Sequence, residues 1–138
     1  MIVHIERVER GWPGHFICAS KCIFRRNTLL TSRKRHLIVS TIGNMQQKDE
    51  VIDTIGPNRY YETMCFVGKK DGPYIDIDVT KEFHSFPDTV KWSINAKNAK
   101  SLPDDVDNQA NDVHEAFVKW VTENFDFAYT KTNKRKEE

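Results

Sequence analysis

Hydrophobic and polar positions alternate at short spacing through the first two thirds of the chain, and the period lengthens to three and four only near its end. Residues 2–8 (IVHIERV) and 15–24 (HFICASKCIF) read as strands, the second entering from the breaker cluster Gly11-Trp12-Pro13-Gly14. Leu29-Leu30 and Leu37-Ile38-Val39 flank the polar connector Thr31-Ser32-Arg33-Lys34-Arg35-His36. That arrangement predicts a hairpin between a strand ahead of Thr31 and one ending near Ile42. In 59–67 (RYYETMCFV), Tyr61, Thr63, Cys65 and Val67 fall on one face and Tyr60, Glu62, Met64 and Phe66 on the other, the pattern of a central strand. Gly68-Lys69-Lys70-Asp71-Gly72-Pro73 predicts a loop, and Tyr74–Val79 a second strand with Ile75, Ile77 and Val79 inward and the aspartates outward.

From Asp107 onward Ala110, Val113, Phe117, Trp120, Val121 and Phe125 make one apolar stripe, which predicts a helix over 106–124. Pro103, Asp104, Asp105 and Asp107 suit its start through a fixed φ and the helix macrodipole. Residues 130–138 (TKTNKRKEE) carry no apolar member, so ordering them would cost entropy without burial. The expected fold is α+β: an antiparallel β-sheet of about five to seven strands packed by one C-terminal amphipathic α-helix. A single domain is expected over 1–129, followed by a disordered charged tail at 130–138.

Composition narrows the class. The 138 residues are 38% hydrophobic and 30% charged, enough apolar content for a core and too much for a disordered chain. The start has no charged region followed by a long apolar run, and no apolar stretch is long enough to span a bilayer, so a cytoplasmic protein without a membrane partner is expected. The formal charge of +1 conceals an uneven distribution. Residues 1–36 sum to +6, 37–70 to zero, 71–130 to −7 and the last eight to +2.

Three cysteines, Cys18, Cys22 and Cys65, are expected to be reduced, with no structural disulfide. His15, Cys18 and Cys22 have the spacing H-x2-C-x3-C, but a closing pair of ligands is missing downstream, so no metal and no cofactor are expected. A small enzyme using His15 with Cys18 or Cys22 is one alternative, although no nucleophile motif surrounds them. His114-Glu115 lacks the second histidine of H-E-x-x-H, because Val118 holds that position. Asp76 and Asp78 share a strand face and read as a solvated edge.

Arg25-Arg26-Asn27 is the most suggestive group, two forked donors for phosphate and a carboxamide that can pair with a base edge. Alternation puts the two arginines on opposite faces of a regular strand. Arg59 adds a cation beside Tyr60 and Tyr61, with Trp92 a further stacking surface. Trp12, His15, Glu62, Phe66, His114 and Glu115 are further pocket candidates.

The strings RGWPGHFICASKCIFRRNTLL (10–30), IVSTIG (38–43), RYYETMCFV (59–67) and QANDVHEAFVKW (109–120) resemble a group of small phage and prophage proteins. These carry GHFI…C-x-FRRNTL, VSTVG, RYYETM-x-F and A-N-x-x-HE patterns. What the resemblance implies is an origin, with 44–58 and 80–105 as variable segments. In size and outline the chain is also similar to the Thoeris anti-defence sponges, which sequester cyclic ADP-ribose signals in a cavity, an analogy of architecture alone.

The expected function is that of a non-enzymatic phage-encoded binding protein, a homodimer that sequesters a small phosphorylated or nucleotide-derived signal. In that reading Arg25, Arg26 and Arg59 hold phosphates, Tyr60, Tyr61 and Trp92 stack, and Asn27 reads a polar edge. The alternative partner is a host defence protein docked on the acidic second half. Direct nucleic-acid binding through the basic first quarter is a further alternative, and nucleic acid is not the expected partner.

Overall fold

Period-two alternation in the middle of the chain resolves into two long antiparallel hairpins. The computed structural model describes residues 2–7, 22–47, 50–53, 59–87, 93–95 and 105–132. The first hairpin joins β2 (Cys22–Ser32) to β3 (Arg35–Gln47), and the second joins β5 (Arg59–Asp71) to β6 (Tyr74–Phe83). Three short strands complete the sheet: β1 (His4–Arg7), β4 (Glu50–Asp53) and β7 (Ser93–Asn95). Among the described residues the sheet has seven strands in the order β1-β2-β3-β5-β6, with β4 paired to β3 and β7 to β5. Two consecutive helices, α1 (Val106–Glu123) and α2 (Phe125–Thr132), follow. The fold is therefore α+β, and no described helix is long and apolar enough to cross a membrane.

Several boundaries differ from the sequence pattern, each for a local reason. The first hairpin tip is only Arg33-Lys34, both with left-handed φ (50° and 66°), so Thr31, Ser32, Arg35 and His36 pair across the strands instead of forming a loop. In the second hairpin Gly68–Asp71 continue the strand, and Gly72 (φ 60°) with Pro73 makes the turn. Gly68 is held there by close packing, because a Cβ at that position would meet Ile75 Cγ2 at 2.7 Å. Val79, expected inward, is exposed. The β5–β6 register jumps from Val67↔Asp78 to Phe66↔Glu82, which pushes Val79, Thr80 and Lys81 out of the ladder. Asp78 stabilises that bulge by accepting hydrogen bonds from the backbone N–H of Thr80 at 3.1 Å and from its hydroxyl at 2.6 Å.

The single predicted helix is two. Asn124 interrupts it: its side-chain amide donates to the Trp120 carbonyl at 2.8 Å, while its own carbonyl accepts from Ala128 N–H at 2.9 Å and starts α2. α2 then runs to Thr132, past the expected end of the ordered domain at 129. Its buried residues Phe125, Ala128 and Thr132 recur at helical spacing, and the Thr132 hydroxyl donates to the Tyr129 carbonyl. Arg33 and Arg35 at the first hairpin tip both pair with Asp126, and the Arg35 guanidinium lies over the Phe125 and Tyr129 rings. Residues 133–138 lie outside the described residues.

Both faces of the sheet carry apolar clusters. The helices cover Leu30, Leu37, Val39, Cys65, Val67 and Phe83 with Phe117, Val118, Val121, Phe125 and Ala128. On the opposite face Ile38, Phe66 and Ile77 pack together, with Leu29, Met64 and Ile75 beside them.

Candidate functional site

The site begins with how the strands stack their side chains beneath α1. Cross-strand register places residues on the helix-covered face in rows: Leu30–Leu37–Val67, then Thr28–Val39–Cys65, then Arg26–Thr41–Thr63, then Phe24–Gly43–Tyr61. The rows pass from apolar to polar to aromatic, and successive turns of α1 match them. Phe117 and Val121 cover the apolar end, while Ala110 clusters with Phe24 and Tyr61 at the other. Between them stands His114, over the polar row. Tyr61 fills the space above Gly43, where any Cβ would meet its ring at 2.3 Å, and its hydroxyl donates to Asp107.

His114 is 1% exposed and both of its ring nitrogens have partners on the sheet. Nε2 shares a hydrogen bond with Thr28 Oγ1 at 2.7 Å and Nδ1 with Thr41 Oγ1 at 2.8 Å. Thr41 Oγ1 in turn meets Thr63 Oγ1 at 2.7 Å, so four side chains form one buried chain. A neutral imidazole has one donor and one acceptor nitrogen, so one threonine donates to the ring and the other accepts from it. Burial, reinforced by the charges of Arg7 and Arg26, pushes the His114 pKa down to about 4. At neutral pH the ring is uncharged. It is a hydrogen-bonding post and a weak base, because general-base catalysis works best with a pKa near the operating pH.

A cleft opens beside this chain, lined by Arg7, Arg26, Asn27, Thr28, Asn111, His114 and Glu115, with a volume of about 200 Å³ that includes space open to solvent. β1 positions Arg7 by pairing it with Thr28. β2 positions Arg26 two residues earlier on the same face. α1 supplies Asn111, His114 and Glu115 from consecutive turns. Arg7 forms an ion pair with Glu115 within this lining. Arg26 lies 4.6 Å from the centre of the Phe24 ring and donates to the Arg25 carbonyl at 2.9 Å, which holds its guanidinium at the rim.

The sheet divides the residues singled out in the sequence. Arg26, His114 and Glu115 come together at the cleft, and Asn27 is part of its lining. Arg25 alternates to the other face, in a row with Ile42 and the partly buried Glu62. Tyr60, Tyr61 and Phe66 offer no stacking surface: they are 5%, 0% and 3% exposed, their rings taken up by the two apolar clusters. Arg59 opens β5 opposite Asn95. Trp12, His15, Cys18 and Trp92 lie outside the described residues. Cys22 and Cys65 are buried thiols, and burial beside Glu82 pushes Cys65 up, away from thiolate chemistry. Among the described residues no group of three or more His, Cys, Asp or Glu side chains could hold a metal ion.

Sequence reasoning missed Arg7, Thr28, Thr41, Thr63 and Asn111. A signal was available for Thr41 and Thr63, since each interrupts an otherwise apolar strand face, which requires a polar partner from elsewhere in the fold. Compared with family models, curated proteins and solved structures, the chain finds no match.

Proposed function

We propose that the chain is a non-enzymatic binding protein whose cleft between β1, β2 and α1 takes the phosphoryl group of a small nucleotide-derived ligand. The observation that carries this reading is the convergence of two guanidinium groups, from Arg7 and Arg26, on a cleft walled by Thr28, Asn111 and a neutral His114. Arginine forks match the geometry of phosphate oxygens, and hydroxyl, amide and imidazole groups supply neutral hydrogen bonds, while the Glu115 carboxylate in the same lining is paired to Arg7. That both arginines depress the His114 pKa supports a positive potential focused in the cleft. The enclosed part of this cleft is far smaller than the roughly 300–1,000 Å³ of whole-ligand pockets, so a phosphoryl group would sit against its surface and the rest of the ligand would lie across it. Sequestration of a signal such as a cyclic ADP-ribose derivative, the role suggested by the analogy of size and outline with the anti-defence sponges, needs affinity and no turnover.

A thermal-shift screen against cyclic nucleotides and ADP-ribose derivatives tests the proposal. Ligand at 100 times its Kd adds about 2.7 kcal/mol to stability, a rise in Tm of several degrees. Arg26→Ala abolishes that rise while the unliganded protein still melts cooperatively. No rise with any of these ligands at millimolar concentration would overturn the reading. A second reading, docking of a basic host protein, draws on the exposed carboxylates of Asp105, Asp112 and Glu123 along one side of α1. Salt-sensitive capture of one host protein, lost when these three are changed to Asn or Gln, would favour it.

A further inference from the structure

Resting on the phosphate-site reading, a further feature of the cleft decides which anions it accepts. One of its two arginines is already engaged by a carboxylate of the protein itself. Glu115 lines the cleft and is ion-paired to Arg7. An anionic group that uses Arg7 therefore competes with this pair. We propose that Glu115 is a built-in competitor for the ligand, which makes the cleft selective for a group that carries two negative charges, a phosphomonoester or a pyrophosphate, over a monoanion such as a carboxylate or a cyclic-nucleotide phosphodiester.

The charge arithmetic favours this. Among the described lining residues the charged side chains are Arg7, Arg26 and Glu115, while His114 is neutral. A monoanion that displaced Glu115 from Arg7 would merely replace a tethered carboxylate with a free one, and the tethered group has the advantage of high effective concentration. A dianion engages Arg7 and Arg26 together and makes a bridge that the single Glu115 carboxylate does not make with Arg7 alone. The pair is also built to open. The side chains of Arg7 and Glu115 are 54% and 38% exposed, and exposed pairs of this kind are weak. Arg7 lies on a four-residue strand whose side chains are all exposed, so its side chain can turn toward Arg26 without disturbing the core.

Calorimetric titration of the full chain with inorganic phosphate and with acetate, at about pH 8 where phosphate is mostly dianionic, tests the proposal in wild type and in Glu115→Gln. That replacement keeps the size of a half-exposed helical side chain, and an unchanged Tm verifies the fold. Wild type is expected to prefer phosphate to acetate by about tenfold or more, and Glu115→Gln to tighten acetate more than phosphate and so to lower that preference several-fold. Phosphate binding by the variant alone would make Glu115 a block to both anions and would overturn its role as a selector. Phosphate binding to wild type with a preference unchanged, or weakened binding of both anions in Glu115→Gln, would overturn the role of Glu115 and leave the phosphate site standing. Absence of phosphate binding in both proteins would overturn the site and the selectivity together.

Discussion

His114 links the stability of the protein to pH. Its folded-state pKa of about 4 lies below the 6.5 of the unfolded chain, so between these values the unfolded state binds the extra proton. The contribution is complete above about pH 6.5 and is lost as the pH falls toward 4, roughly 3 kcal/mol in all at 1.36 kcal/mol per unit. Protonation also turns both ring nitrogens into donors, which forces one of the two threonine hydroxyls to reorient. Urea denaturation at neutral pH and at about pH 4.5 should show this fall, and His114→Gln should flatten it; an unchanged slope would contradict the buried neutral ring. Thr41→Val removes the link between Nδ1 and Thr63 and is expected to cost about 1–3 kcal/mol, the range for a buried polar group left without its partner. Part of this was legible in the sequence. Alternation correctly grouped Tyr61, Thr63, Cys65 and Val67 on one face, but nothing local couples Thr28 to a histidine 86 positions away.

Between elements, turn chemistry and cross-strand packing decide the boundaries that hydropathy could not. Lys34 holds a left-handed φ of 66° that glycine adopts without strain, at the position where two-residue hairpin turns favour it. Lys34→Gly is expected to stabilise the fold by about 0.5–1 kcal/mol, visible as a Tm rise of a few degrees. Gly43→Ala should do the reverse. Its new Cβ would press on a Tyr61 ring that is fully buried and tethered to Asp107, so relief requires moving the core, at a cost of about 1–3 kcal/mol. Strand existence and the amphipathic stripe of α1 could be read from periodicity. The bulge at Val79 and the break at Asn124 could not, because each depends on the hydrogen bonds of one side chain, Asp78 or Asn124, against an otherwise continuous pattern.

At the scale of the molecule, the basic first quarter and acidic second half are partly satisfied by each other. Arg7 pairs with Glu115, and Arg33 and Arg35 pair with Asp126, so first-quarter cations tie the sheet to both helices. The central claim is that part of this polarity converges on one cleft, where Arg7 and Arg26 line the walls with Thr28 and His114. The sequence brought Arg25, Arg26 and the two tyrosines together by proximity along the chain; the sheet separates them, and the residues that do converge come from three elements far apart in sequence. The most direct test is a titration of isotopically labelled protein with inorganic pyrophosphate, followed by backbone amide NMR. The account predicts saturable shifts at Arg7, Arg26, Thr28, Asn111 and His114, lost in Arg26→Ala. Saturable shifts confined to other parts of the molecule, or none at millimolar pyrophosphate, would contradict it.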